Sequence, residues 1–185
     1  MLIAKFDNSN VAEKIAILES QYHFAFPQQY KEFLLRYNGG YTPRTKFKIK
    51  RISTDLKGFY GIGTAELSLK QENIEVWIKK RLFPIACDSF GNIILLCIAK
   101  DKYGSVFFSD HENGMACSPI SNDFSSFLRM CKSDKIPDAA RRSVDERKAD
   151  LIARNRENII TPALIDMWKK EIDKYSGMIQ EEVTI

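Results

Sequence analysis

The sequence predicts helices packed against an antiparallel sheet, and three observations lead there. Between residues 82 and 120 four strand-like runs follow one another (LFPIAC, NIILLCIA, SVFFSD and MACSPI), parted by short turn signals. The second of these runs, Ile93 to Ile98, is apolar on both faces and so belongs at the centre of a sheet covered by helices. Apolar residues also recur at helical spacing near both ends of the chain.

Taken in order, Val11, Ile15, Leu18 and Tyr22 define an amphipathic helix with Asn10 as its N-cap. Pro27 opens a second helix, where its missing N–H costs nothing. Tyr30, Phe33, Leu34 and Tyr37 lie on one face of it, and Asn38-Gly39-Gly40 stops it. TKFKIKRI alternates and reads as a half-exposed strand, with Phe47 and Ile49 inward and Lys46, Lys48 and Lys50 outward. GFYGIGT has its glycines in the order G-x-x-G-x-G, which is not the dinucleotide fingerprint; it reads as a short strand with close backbone approaches. Residues 68 to 80 form another helix, with Ile74, Trp77 and Ile78 on one side.

In the meander, Asp88 suits the first and Gly91 the fourth position of a turn in DSFGN, KDKYG makes a second turn, and Asn113-Gly114 signals a hairpin. NDFSSFLRMC is a short helix capped near Asn122, and Ile136-Pro137 is a break. DAARRSVDERKADLIARN reads as one polar helix with a thin stripe of Val144, Ala149, Leu151 and Ile152. Thr161 and Pro162 start a last helix with Leu164, Ile165, Trp168 and Ile172 on one face, and MIQEEVTI is either a loop or a final edge strand.

The 185 residues suit one domain, 1–133, with a helical extension, 134–185, packed on it. A composition of 44% hydrophobic and 28% charged residues is that of a globular protein. The longest apolar run, Ile93 to Ala99, is far shorter than the roughly 20 residues of a membrane span. The start, MLIAKFDNSN, lacks a cleavable leader pattern, so a cytoplasmic protein is expected. Cys87, Cys97, Cys117 and Cys131 form no C-x-x-C and read as reduced, packed thiols, the first three in apolar strand surroundings.

Three chemistries are weighed and set aside. HENGM begins like H-E-x-x-H, but Met115 stands where the second histidine should be, so neither a metal nor any other cofactor is expected. Cys87 beside Asp88 has the wrong neighbour for a reactive thiolate. The net charge of +4 is modest, and the lysines of RTKFKIKR read as protection of an exposed strand edge, so nucleic acid is not the expected partner. What the meander does supply is an address. Alternate turns lie at the same end of the sheet, so Asp88, Asp110, His111 and Glu112 share one acidic rim, on the order of 5 to 10 Å across.

FPQQYKEFLLRYNGG, GFYGIG, LFPIACDSFGNIILLCI, GSVFFSDHE and FSSFLRM, in that order, resemble the SUKH superfamily, which includes the yeast Smi/Knr cell-wall regulators and many bacterial immunity proteins. The match spans about residues 10 to 131; the tail after Pro137 is longer than the minimal domain, although ITPALIDMWKKEIDKY is similar to a tail of bacterial members. The resemblance implies an α+β class, a curved, mostly antiparallel central sheet flanked by helices. It implies a bacterial immunity protein that neutralises a cognate toxin domain, often a nuclease, by non-catalytic binding. It implies a cognate protein toxin as partner, with no small-molecule substrate; the acidic rim predicts that this partner is basic, and the short apolar runs predict no membrane. Asp88, Ser89, Asn92, Asp110, His111 and Glu112 are the candidate partner-binding residues. A regulatory scaffold that docks onto a cellular enzyme, as the yeast relatives suggest, is the alternative, and the Lys46-Lys48-Lys50 strand is the alternative face.

Overall fold

The structure, a computed structural model, describes all residues except Lys50, Arg51, Ala65, Glu66 and Lys70, and the backbone only at 49, 52 and 71–73. Its elements run β1 (Leu2–Lys5), α1 (Val11–Tyr22), α2 (Gln28–Tyr37), β2 (Gly40–Tyr41), β3 (Thr45–Ile49), β4 (Ile52–Asp55), β5 (Gly58–Phe59) and α3 (Gln71–Ile78). There follow β6 (Leu82–Cys87), β7 (Ile93–Cys97), β8 (Val106–Asp110), β9 (Ala116–Ser121), α4 (Phe124–Met130), β10 (Lys132–Ser133), α5 (Val144–Ala153), α6 (Pro162–Tyr175) and β11 (Glu181–Glu182). The class is α+β. Among the described residues an eight-stranded sheet has the order β11-β1-β2-β5-β6-β7-β8-β9, and a three-stranded sheet the order β10-β3-β4; all their pairings are antiparallel. The chain divides into two compact units, residues 1–134 with 180–185, and residues 135–179.

In the first unit α2 supplies the centre of the core. Tyr30, Phe33, Leu34 and Tyr37 recur at helical spacing, and all four are fully buried. Phe33 meets Phe59 and Phe124, and Phe26 meets Phe83, with ring centroids about 5 Å apart, close to the spacing that edge-to-face pairs favour. Asn38 in the left-handed region ends α2, and its side chain then joins two loops. Its Nδ2 donates to the Asp7 carbonyl at 2.8 Å, and its Oδ1 accepts the Ile62 N–H at 2.9 Å. Gly39 follows with φ +79°, and a Cβ there would stand 2.6 Å from the Tyr60 carbonyl oxygen.

The four-strand meander β6–β9 forms as the turn signals indicate, with β7 central and buried. Several details differ from the sequence reading. TKFKIKRI is not one strand: residues 45–49 and 52–55 are the two arms of a hairpin, Phe47 opposite Thr54. Asp123, not Asn122, caps α4, its carboxylate accepting the Ser126 N–H at 2.7 Å. The tail is an edge strand, and Leu2 and Ile3 pair with it. The first unit therefore takes back residues 180–185 from the expected extension.

The second unit contains α5 and α6. The predicted long polar helix is interrupted because Ser143 starts a new one. Its hydroxyl accepts the Glu146 N–H while the Glu146 carboxylate accepts the Ser143 N–H, a capping box that restarts the chain after a short 3-10 turn at Asp138–Arg141. The buried member of α5 is not in its apolar stripe. Arg147 packs under the Trp168 ring, donates to the Arg142 carbonyl and pairs with Glu171 at 2.7 Å, whereas Ile152 is exposed.

Candidate functional site

The β6–β7 turn is built on Asp88. Its Oδ1 accepts the backbone N–H of Phe90 and of Asn92, both at 2.9 Å, which closes the turn on itself. Its Oδ2 accepts Asn92 Nδ2 at 2.7 Å and Thr54 Oγ1 at 2.9 Å. Asp88 is 2% exposed. It is therefore removed from the expected contact surface: its oxygens hold the turn and tie it to β4. The neighbouring Ser89 adds a second tie, since its N–H and hydroxyl both donate to the Asp55 carboxylate. Gly91, at φ +92°, lets the turn close against the His111 ring.

The β8–β9 turn comes to the same place. It is a five-residue loop, 111–115, and not the two-residue Asn113-Gly114 hairpin expected: the left-handed residues are Gly114 and Met115, and the Met115 N–H donates to the Asp110 carbonyl at 2.8 Å. Asp110 Oδ1 accepts the Glu112 N–H at 3.0 Å. The strand ends at Asp110, so the alternation that would set His111 opposite its neighbours no longer applies, and all three side chains line one cleft.

Asn92 joins the two turns. Its Oδ1 accepts the backbone N–H of His111, and His111 Nδ1 lies 2.9 Å from the same oxygen. The orientation of this amide follows from its partners. A backbone N–H can only donate, and the Asp88 carboxylate requires the NH₂ end. His111 Nδ1 therefore carries a proton, and Nε2 is the ring's acceptor when the ring is neutral.

The cleft has a volume of about 460 Å³ and is bounded by Ser53 and Thr54 of β4, Phe90 and Asn92 of the first turn, Phe108, Ala116 and Ser118 of the sheet, and Asp110, His111, Glu112 and Asn113. Of the six residues expected to contact a partner, Asp110, His111 and Glu112 stand at its open edge, Asn92 is buried in its wall, Ser89 is exposed beside it and Asp88 lies behind it. Sequence reasoning missed Thr54, Phe90 and Phe108. An aromatic between Ser89 and Gly91 in a polar turn was the available signal for Phe90; nothing local marks Thr54, which comes from 34 residues upstream.

The cysteines bear on chemistry too. Burial pushes the Cys87 thiol up, the Tyr60 hydroxyl opposing it in part by hydrogen bonding and Asp88 adding to it as a lesser cause. Cys97 and Cys131 are buried, but Cys117 is exposed on β9, contrary to its apolar context in the sequence. Lys46 and Lys48 are exposed on β3; Lys50, the third lysine of that alternative face, lies outside the described residues. Among the described residues no group of three His, Cys, Asp or Glu is gathered as metal ligands would be, and no helix is long and apolar enough to cross a membrane.

The chain that carries these two turns, laced together by Asp88, Asn92 and His111, matches a known family over most of its length. The sequence model of the SMI1/KNR4 family (SUKH-1) covers residues 12–130, well over half of the 185, and the chain belongs to that family. Proteins of the family are generally non-catalytic, and membership points to a protein partner. No curated protein matches the chain.

Proposed function

We propose that this chain is a bacterial immunity protein that binds a cognate, basic protein toxin in the cytoplasm and blocks it by occupancy, without turnover. The carrying observation is the rim itself. Asp110 and Glu112 project beside an open cleft, and neither has a lysine or arginine within 4.0 Å among the described residues. Unpaired charges at the mouth of a recess, Glu112 exposed and Asp110 half-buried, suit a partner of opposite charge, which they would steer as well as hold.

Non-catalytic action is supported by how the reactive-looking groups are used. Asp88 has its oxygens committed to four donors, His111 Nδ1 is committed to Asn92, and burial keeps the Cys87 thiol protonated. The test is co-expression with the toxin encoded beside the gene. Growth should be rescued and the two proteins should co-purify, and His111→Ala should still rescue. A chain that rescues no growth and retains no toxin contradicts the reading; retention of a housekeeping enzyme instead would favour a regulatory scaffold.

A further inference from the structure

The cleft has a more particular chemistry than an acidic edge. Phe108 and Ala116 give it an apolar floor. Phe90 gives it an aromatic wall that is 66% exposed, on a turn whose other residues are all polar or glycine. The Phe90 ring stacks on no other ring among the described residues. The ring therefore keeps most of its face free for a ligand at the edge of the cleft. The mouth adds Asp110, Glu112 and His111, whose Nδ1 is held by Asn92 and whose Nε2 is an acceptor rather than a donor when the ring is neutral.

We infer that the cleft takes one arginine or lysine side chain of the protein partner, with Phe90 against the cation and Asp110 and Glu112 as its counter-charges. The inference rests on the reading that this rim seats the partner. A long cationic side chain matches both halves of the site. Its methylene stem covers Phe108 and Ala116, and its head lies over an aromatic face and reaches two carboxylates. An aliphatic side chain would fill the floor but leave the two carboxylates partly desolvated with no opposite charge. An acidic one would be repelled. The volume, about 460 Å³, falls in the range of recesses that enclose a ligand and exceeds the need of one side chain, so flanking backbone can enter too.

The test is an NMR titration of the isotope-labelled full chain with Nα-acetyl-arginine amide and with its uncharged near-isostere Nα-acetyl-citrulline amide. The arginine probe should shift the backbone amides of Phe90, Gly91 and His111, and citrulline should bind about fivefold more weakly, as expected for loss of exposed charge pairs. Asp110→Asn with Glu112→Gln should remove that difference, and Phe90→Ala should weaken both probes. Equal binding of the two probes, or no shift at these amides up to the solubility limit of the arginine probe, overturns the inference. The titration needs no toxin. Its failure leaves the neutralisation reading standing, whereas a positive titration with no toxin bound would contradict that reading and keep the cleft assignment.

Discussion

The backbone N–H and the Nδ1 of His111 both meet Oδ1 of Asn92 at 2.9 Å, across the gap between two turns 19 residues apart. Behind Asn92 stands Asp88, and behind Asp88 stands Thr54. A line of polar contacts thus runs from β4, under the first turn, to the acidic loop, and sets the spacing of the rim.

The inner end of that line should matter for stability and the outer end should not. Asp88→Ala would leave four buried or half-buried donors without an acceptor and should cost about 3 kcal/mol or more. Asn92→Ala should cost about 2 kcal/mol, and Glu112→Gln should stay within about 0.5 kcal/mol. Urea midpoints of the three variants check the order; a stable Asp88→Ala protein would refute the scaffold role.

Association should depend on the outer end. Asp110→Lys with Glu112→Lys should slow association with a basic partner by about tenfold or more, and added salt should narrow the gap from the parent chain, since exposed charges are screened over about 8 Å at physiological ionic strength. Stopped-flow or surface-binding rates at two salt concentrations measure it. An unchanged rate would move the contact to another face, such as that of Lys46 and Lys48.

Alkali should weaken the fold. Burial pushes the Cys131 thiol from its ordinary 9.0 up to about 12 and raises the Tyr30 hydroxyl as well. Between those values the unfolded chain has lost the Cys131 proton and the folded chain still holds it. Stability is therefore whole below about pH 9 and falls as pH rises toward about 12, by up to about 1.4 kcal/mol per unit from Cys131 alone. Urea midpoints at pH 8 and at pH 10.5 should show the fall, and Cys131→Val should show less of it. Equal slopes for the two proteins would refute this account of Cys131.

Gly39→Ala tests how the sheet closes on α2. The new Cβ would sit 2.6 Å from the Tyr60 carbonyl oxygen at a φ of +79°, so backbone must move on both sides. A loss of about 3 kcal/mol is expected by thermal or urea unfolding, and a neutral variant would contradict the close approach.

How much of this the sequence discloses depends on the length of the pattern. α2 is legible because it repeats its period over several residues, and β7 because a continuous apolar run stands between turn signals. β2 is two residues long and glycine-led, so no alternation exists to be seen; β5 is as short, and it was legible as a strand with a close approach at Gly58 through its glycine spacing. β1 and β11 find each other across the whole chain, a pairing no local window contains. The interruption at Ser143 was missed because the charged residues around it suit a continuous helix equally well. At the rim, the meander placed Asp88 and His111 at one end of the sheet, but their burial differs for a reason local sequence hides. Thr54 and Asn92 arrive from either side to take up one carboxylate, and among the described residues no such donor reaches the Glu112 carboxylate.

The central claim, inhibition by occupancy, is tested most directly by titrating a fixed amount of the cognate toxin with the purified chain while following toxin activity. The account predicts a linear loss that ends at about one chain per toxin and does not progress with time. Full inactivation by a small fraction of an equivalent, deepening with incubation, or undiminished toxin activity at large excess, would contradict it.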